Sequence, residues 1–259
     1  MIIAQISDLH VGAPGQRLFG RIDTASCLAR CVSSILLLQP RPDAVVASGD
    51  LVNAGAPEEY RQLRELLAPL PIPLYLMPGN HDERSALRAE FSDHGYLPAH
   101  GTLHYAVETA ALQLIMLDTV VPGRDGGAID SGQMEWLERT LASAADRPTL
   151  IFMHHPPIVT GIRGMDEIAL DAGDAARLAG LVTGSATIER IACGHVHRKI
   201  ESRWAGTIVS VCPSTAYQIR LSLNGGTLDL SSQELPSYQL HYWNGAELVT
   251  HTVAVGPGA

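Results

Sequence analysis

Residues 1–10 read Met-Ile-Ile-Ala-Gln-Ile-Ser-Asp-Leu-His, a short apolar run that is followed at once by an acid and an imidazole. The same texture returns at Asp43–Ala47, which precedes Ser48-Gly49-Asp50, and at Leu74–Met77, which precedes Pro78-Gly79-Asn80-His81. Short apolar runs bounded by turn residues are typical of buried strands. Because helical patterns separate these runs, the sequence predicts an α/β protein with a mostly parallel sheet covered by helices.

The helical patterns carry recognisable start signals. Asp23-Thr24 precedes a stretch whose apolar residues recur at helical spacing, and Pro57-Glu58-Glu59 has the proline and acids that suit a first turn. Farther along the chain the same reading predicts these elements: strands at His104–Val107 and Gln113–Leu117, a helix over Gln133–Ala144, a strand at Leu150–Met153, a helix at about Asp174–Val182 and a strand at Ile188–Cys193.

The last quarter of the chain changes to short alternating runs, which predict antiparallel strands. These runs are Ile200–Arg203, Gly206–Val211, Arg220–Leu223, Thr227–Leu230, Tyr238–Trp243 and Glu247–Val253. Asn224-Gly225-Gly226 between two of them is a hairpin-turn signal. No repeat or low-complexity linker interrupts the sequence, so we predict a core over residues 1–212 and a C-terminal β elaboration over 213–259 within the same domain.

Composition restricts the classes of function. The chain of 259 residues has a formal net charge of −9 and a pI of about 5.6, which argues against binding long nucleic acid and favours small substrates. No apolar run approaches the ~18 residues of a membrane span, and no basic leader precedes the first strand. We therefore expect a cytoplasmic protein without a membrane partner.

Polar side chains follow five of the predicted strands where each strand ends. They are Asp8, Asp50, Asn80, His154 and His195, each one to three residues beyond a strand. Ligands of open α/β sheets bind beyond the carboxyl ends of the strands, so we expect these side chains to meet at one sheet edge. A lone histidine there is usually a hydrogen-bonded loop residue. Carboxylates, an amide and several imidazoles together favour a metal centre.

The order of these motifs resembles that of the calcineurin-like metallophosphoesterases. The resemblance rests on D-x-H at Asp8, G-D at Asp50, G-N-H-D at Asn80, a His pair before Pro156-Pro157, and G-H-x-H at His195. Three further segments are similar to the bacterial branch of glycerophosphodiesterases and class III cyclic-nucleotide phosphodiesterases: Leu18–Asp23, Asn53 with Pro57–Tyr60, and Ile151–Pro157. The family fold is a four-layer α/β/β/α sandwich of two mixed sheets, here with a small C-terminal β elaboration.

The resemblance also implies a set of site residues. Two divalent or transition metal ions, Fe, Mn, Zn or Co, are expected. The first would be held by Asp8, His10, Asp50 and His197, and the second by Asp50, Asn80, His154 and His195, with Asp50 shared. The resemblance assigns the ligand to His154 and leaves His155 in a supporting role. Successive residues of an extended chain point to opposite sides, which supports only one of the two as a ligand. His81 faces the substrate phosphate in the family, and Asn53 either bonds Asn80 or is only a turn residue.

The implied reaction is hydrolysis of small phosphodiesters, namely glycerophosphodiesters or cyclic nucleotides such as cAMP. Two metal ions neutralise the phosphate and supply a shared hydroxide at neutral pH for in-line attack. His81 would stabilise the equatorial oxygens or protonate the leaving group, and Asp82 either orients His81 or caps the next helix. The alternatives are a phosphomonoesterase, a nucleotide pyrophosphatase and, from another class, a non-catalytic binding scaffold.

Two features depart from the family pattern or have no motif. Where the resemblance implies a further phosphate-binding histidine, this chain has Tyr217, within Pro213–Gln218. A phenol donates a hydrogen bond but is a weak acid at neutral pH, so Tyr217 is a candidate substrate-binding residue. The C-terminal region has no readable motif, and a homo-oligomer is implied by the resemblance alone.

Overall fold

The computed structural model describes residues 1–144, 146–225, 228–230 and 233–256. Eleven strands are assigned in this part of the chain: β1 Ile2–Ile6, β2 Ala44–Ser48, β3 Leu74–Met77, β4 Tyr105–Glu108, β5 Gln113–Leu117, β6 Thr149–Met153, β7 Ile188–Cys193, β8 Ile200–Trp204, β9 Thr207–Val211, β10 Ser237–Trp243 and β11 Leu248–Ala254. The assigned helices are α1 Thr24–Leu37, α2 Pro57–Leu67, α3 Arg84–Glu90, α4 Ser131–Ser143, α5 Arg163–Asp166 and α6 Ala172–Thr183.

The strands form two mixed sheets. The first has the order β11-β10-β1-β2-β3, and the second has the order β4-β5-β6-β7-β9-β8. Strands β1, β2 and β3 run parallel, as do β5, β6, β7 and β9. The predicted parallel sheet is therefore divided between two sheets, each flanked by antiparallel strands.

Three apolar cores hold the layers together. One lies between the first sheet and α1 and α2, where Ile6 and Val45 pack with Leu28 and Leu63. A second lies between the second sheet and α4 and α6. The third fills the space between the two sheets, with Phe152 among its buried members. Since each sheet is covered on both faces, the fold is the predicted four-layer α/β/β/α sandwich, and the predicted fold class is confirmed.

Local signals placed most elements within a few residues. The Asp23 side chain accepts the Ser26 N–H and caps α1, and Pro57 is the first residue of α2. The run Arg220–Leu223 is not a strand, because it lies outside both sheets and an isolated two-stranded hairpin is marginal in water. Its predicted partner Thr227–Leu230 and the turn at Gly226 fall partly outside the described residues.

The C-terminal strands complete the first sheet. β10 pairs antiparallel with β1, and β11 pairs with β10. The limits proposed for the core and its C-terminal elaboration, 1–212 and 213–259, stay a prediction. No helix in the described part of the chain is long and apolar enough to cross a membrane.

Candidate metal centre

The polar residues predicted at the strand ends converge on one site, but two sheets supply them. Asp8, Asp50 and Asn80 follow β1, β2 and β3 of the first sheet, whereas His154 and His195 follow β6 and β7 of the second. The expectation of a single sheet edge was therefore wrong. The site lies where the carboxyl-terminal ends of these strands meet between the two sheets.

Left-handed backbone turns aim these side chains inward. Five of the predicted ligands have positive φ without being glycine: Asp8 at 53°, His10 at 44°, Asp50 at 49°, His195 at 73° and His197 at 51°. For such residues this conformation is unfavourable and is retained mainly where function requires it. Each turn directs a polar side chain back across the end of its strand.

Glycines make room for the crowded side chains. Gly49 has φ +99°, and a Cβ there would overlap the His154 imidazole and lie 2.9 Å from the Gly79 nitrogen. The G-D motif therefore needs glycine for both its conformation and the close approach of the second sheet.

We expect Gly49→Ala to destabilise the fold by about 2–5 kcal/mol, because a left-handed alanine costs about 1–2 kcal/mol and overlap in a packed interior adds about 1–3 kcal/mol. Gly15→Ala is the matched control: its φ is +80°, and a Cβ there meets nothing within 4 Å. Urea unfolding of both variants measures the difference. Equal destabilisation would contradict the importance of the close approach to His154.

The first cluster joins Asp8, His10, Asp50 and His197, whose ligand atoms all lie within 4.8 Å of one another. His10 Nε2 is 3.1 Å from His197 Nε2 and 3.5 Å from Asp50 Oδ2. His197 Nε2 is in turn 3.4 Å from Asp8 Oδ1. All four residues are buried. This is the set predicted to hold the first metal ion.

The second cluster centres on the other oxygen of Asp50. His154 Nε2 lies 3.3 Å from Asp50 Oδ1, and His195 Nδ1 lies 3.1 Å from Asn80 Oδ1. By distance alone His154, His155 and His195 also form a group. His155 is unsuited to bind metal, because its Nδ1 accepts from Thr119 Oγ1 at 2.7 Å and its Nε2 donates to the Asp125 carbonyl at 3.0 Å.

Hydrogen bonds on the far side of each ring leave lone pairs facing inward. His154 Nδ1, His195 Nε2 and His197 Nδ1 each meet a backbone carbonyl, those of Ser48, Ile168 and Tyr217, at 2.9, 2.9 and 3.1 Å. A carbonyl only accepts, so each of these nitrogens carries the proton and the opposite nitrogen offers a lone pair. The inward nitrogens then face oxygen atoms. A cation between them resolves this repulsion, so the residues fit a metal pair.

The charge states suit metal binding as well. Burial lowers the pKa of His10 to about 3 and that of His197 to about 4, so both rings are neutral at pH 7. Burial also raises the pKa of the Asp8 carboxyl to about 6. For His154 burial acts in the same direction as for His10, but the Asp50 carboxylate outweighs it and raises the pKa to about 9. Without metal, His154 is therefore protonated on both ring nitrogens beside Asp50, and its Nε2 offers a lone pair only once that proton is released on metal binding.

His81 stands apart from the buried residues of the two clusters. It is exposed at the mouth of the site, and its Nδ1 lies 2.7 Å from the Asn53 carbonyl. That bond places the proton on Nδ1 and frees Nε2. The ring meets the His10 ring edge-on, with centroids 4.7 Å apart. The structure therefore links Asn53 to His81 through a backbone carbonyl, and the predicted bond from Asn53 to Asn80 stays a prediction.

Tyr217 lies over the first cluster. Its ring centroid is 4.4 Å from that of His197 and 5.8 Å from that of His10. On its outer side it meets Phe19, a residue with φ +53° whose side chain is 54% exposed. Burial raises the pKa of the Tyr217 phenol well above its usual value, so this residue is a hydrogen-bond donor and not an acid at neutral pH.

Some supporting contacts were not predicted from the sequence. Asp82 accepts the N–H groups of Leu51 and Gly79 at 3.0 and 2.8 Å and the Tyr60 hydroxyl at 2.9 Å. It therefore ties the G-D turn to the G-N-H-D turn, and the alternative that it caps a helix is wrong, since Glu83 caps α3. The Ser214 hydroxyl donates to the Asp8 carbonyl at 2.7 Å. No local signal marks such long-range bonds.

Comparison with known proteins identifies a family match and several sequence relatives of this chain. The family model for calcineurin-like phosphoesterases matches residues 1–199. A probable glycerophosphodiester phosphodiesterase of Arcobacter nitrofigilis is 35% identical over 99% of this chain and 94% of its own length. The 3',5'-cyclic adenosine monophosphate phosphodiesterase of Escherichia coli is 29% identical over 92% of this chain and 85% of its own length.

Solved structures agree on the fold. A dimetal phosphatase from Danio rerio superposes with a TM-score of 0.64 at 14% identity and covers 99% of both chains. At that identity the likeness shows the fold alone. Both named sequence relatives are described as phosphodiesterases.

Proposed function

The chain belongs to the calcineurin-like phosphoesterase family, and on that premise we propose that it is a dinuclear-metal phosphodiesterase acting on small phosphodiesters. Glycerophosphodiesters and cyclic nucleotides such as cAMP are the substrate classes that its relatives' names favour. The proposal includes the seven metal ligands Asp8, His10, Asp50, Asn80, His154, His195 and His197, with His81, Asn80 and Tyr217 meeting the substrate.

One observation carries the proposal, the position of the Asp50 carboxylate. Its two oxygens lie 3.3 Å from His154 Nε2 and 3.5 Å from His10 Nε2. Each oxygen thus belongs to a different cluster, as sharing one carboxylate between two cations requires. When bound, a metal pair neutralises phosphate oxygens and lowers the pKa of water to about 7. Fe, Mn, Zn and Co all accept this mixed nitrogen and oxygen set.

The other steps of the reaction depend on residues around the mouth of the site. His81 presents Nε2 at the mouth of the site. Because Nδ1 keeps its proton on the Asn53 carbonyl, the imidazolium form would donate from Nε2 to a phosphate oxygen or give that second proton to the leaving alkoxide. The Asn53 carbonyl fixes the His81 tautomer. Asn80 is only partly buried, so its amide would be accessible to both a metal ion and the substrate. Asp82 keeps the two turns that carry Asp50 and His81 in register.

The direct test is a substrate panel on metal-loaded protein. It contains bis(p-nitrophenyl) phosphate, p-nitrophenyl phosphate, glycerophosphoethanolamine, cAMP and a dinucleotide pyrophosphate. We expect the diesters to be turned over faster than the monoester and the pyrophosphate. Faster turnover of the monoester or the pyrophosphate would replace the proposal by the corresponding activity, and no turnover would favour a binding scaffold.

Tyr217→Phe tests the role of the phenol. We expect turnover of glycerophosphoethanolamine, a poor-leaving-group diester, to fall about tenfold, since a hydrogen bond from the phenol to the charge developing on the leaving alkoxide is worth about 1.5–3 kcal/mol. Turnover of bis(p-nitrophenyl) phosphate should change less. The Tyr217 carbonyl that accepts from His197 is retained, so metal content serves as the control. An equal effect on both substrates would mean that Tyr217 only packs.

Metal titration tests whether the two sites bind metal with different affinities. Asn80 brings a neutral amide where the first cluster has a carboxylate, and metal affinity rises with ligand charge. We therefore expect the second ion to bind at least about tenfold more weakly in calorimetry. Asn80→Asp should reduce the difference in metal affinity between the two sites. Two equally tight sites in the natural chain would contradict this account.

A further inference from the structure

The outermost strand of the first sheet has a bare edge. β11 pairs with β10 and, in the part of the chain that the structure covers, with no other strand. It spans seven residues and contains no proline and no charged residue other than the titratable His251. Proteins commonly block such edges with lysine, proline or a bulge. An unblocked edge of this length is a template for pairing with another strand.

The ladder to β10 determines which backbone groups face outward. The Asn244 N–H donates to the Glu247 carbonyl at 3.2 Å, and the Val255 N–H donates to the Pro236 carbonyl at 2.7 Å. Bonded and non-bonded pairs alternate in an antiparallel ladder, so odd-numbered residues of β11 bond to β10. The N–H and C=O of the even-numbered residues point away from the sheet: Leu248, Thr250, Thr252 and Ala254.

The sequence of this edge is self-complementary. Residues 249–253 read Val-Thr-His-Thr-Val, which is the same in both directions. A two-fold axis at His251 would set Thr250 opposite Thr252 of a second copy, and Val249 opposite its Val253. Thr250 and Thr252 both present outward N–H and C=O groups, so the pair can exchange two hydrogen bonds. One axis therefore pairs identical side chains and also places the outward N–H and C=O groups of the two strands opposite each other.

We propose that β11 pairs with β11 of a second copy of this chain, antiparallel about an axis at His251. The two five-stranded sheets then join into one. A two-fold interface uses the same patch on both copies, which is the condition a palindromic strand meets.

The apolar surface beside the edge favours this partner, and the edge itself adds no like-charge repulsion. Two chains that each carry a net charge of −9 repel one another, yet β11 brings no carboxylate to the join. Beside the edge, Tyr242 and Val249 pair in register and remain 42% and 38% exposed. Val253 of the second copy would lie against Val249 and cover part of this apolar surface.

Cysteine cross-linking tests the axis directly. The four native cysteines are buried, so any cross-link should come from the introduced surface thiol. In the proposed dimer His251 faces its own copy in a non-bonded pair with Cα atoms about 4.5 Å apart, within disulfide range. We expect His251→Cys to give mostly covalent dimer on mild oxidation. Val249→Cys is on the same strand and face, but the two introduced thiols would lie about 14 Å apart, so this variant should run as a monomer on a non-reducing gel.

Sedimentation of the natural chain supplies the second measurement. A dimer at micromolar concentration is expected, and Thr250→Pro should weaken it about tenfold or more, because proline removes an outward N–H without breaking a bond to β10. A monomer at 100 µM, as an order of magnitude, would overturn the proposal. So would cross-linking of Val249→Cys as readily as His251→Cys, which keeps the test decisive even if Thr250→Pro fails to fold.

Discussion

Asp50→Asn is expected to lower kcat/KM for a phosphodiester by about 10³-fold or more. Asparagine has nearly the same shape, so the change removes the charge of a carboxylate whose oxygens face both clusters. A metal pair supplies several kcal/mol of transition-state stabilisation, and each ~1.4 kcal/mol is a factor of ten in rate. We also expect the bound metal to fall to one equivalent or less. Steady-state kinetics and metal analysis of the same preparation measure both effects.

The control for this variant is Asp43→Asn. The Asp43 carboxylate accepts the Ile2 N–H at 2.6 Å, at the opposite end of β1 from the site. It tests whether the loss of any strand-end carboxylate impairs the enzyme, and we expect full metal content and activity. An Asp50→Asn protein that keeps two metal equivalents and stays within tenfold of the natural activity would contradict the shared-carboxylate account.

His81→Asn should lower kcat by about 10²–10⁴-fold, the range typical of a positioned proton donor or acceptor, without loss of metal. The reason lies in its position, since His81 is exposed at the mouth of the site and contacts a ligand ring only edge-on. The choice of substrate separates its two candidate roles. A proton donor matters little for a p-nitrophenolate leaving group, whereas a donor to the phosphate oxygens matters equally for activated and unactivated diesters.

His100→Asn is the matched control for His81, because it changes an exposed histidine on the loop before β4. Its activity should equal that of the natural chain. If His81→Asn loses metal, His81 supports the ligands and does not act on substrate. If it keeps natural activity on every substrate, the predicted role of His81 is wrong.

The sequence predicted the positions of the site residues better than their surroundings. Asp8, Asp50, Asn80, His154 and His195 each lie one to three residues past a strand, because local patterns mark where a strand ends. Strand pairing is a long-range property, so the division of the strands between two sheets was missed. The left-handed turns at Asp8, His10, Asp50, His195 and His197 were missed for a related reason, since only a few per cent of non-glycine residues adopt this conformation and tertiary packing determines where they do.

The choice between the adjacent histidines depends on contacts that no local pattern contains. The resemblance favoured His154, and the structure gives a physical ground: both ring nitrogens of His155 are bonded within the protein, whereas His154 Nε2 faces Asp50. The role of Asp82 depends likewise on the turn that follows β2, more than thirty residues earlier in the chain. The spacing of residues along the sequence does not reveal such bonds.

The most direct test of the central claim is metal analysis coupled to diester hydrolysis by the natural chain. We predict that protein reconstituted with Mn²⁺ or Zn²⁺ binds two ions and hydrolyses bis(p-nitrophenyl) phosphate faster than p-nitrophenyl phosphate. Chelation should abolish this activity, and the metal should restore it. A folded protein that binds fewer than two ions, or that binds two and leaves every diester intact, would contradict the assignment of this site to phosphodiester hydrolysis.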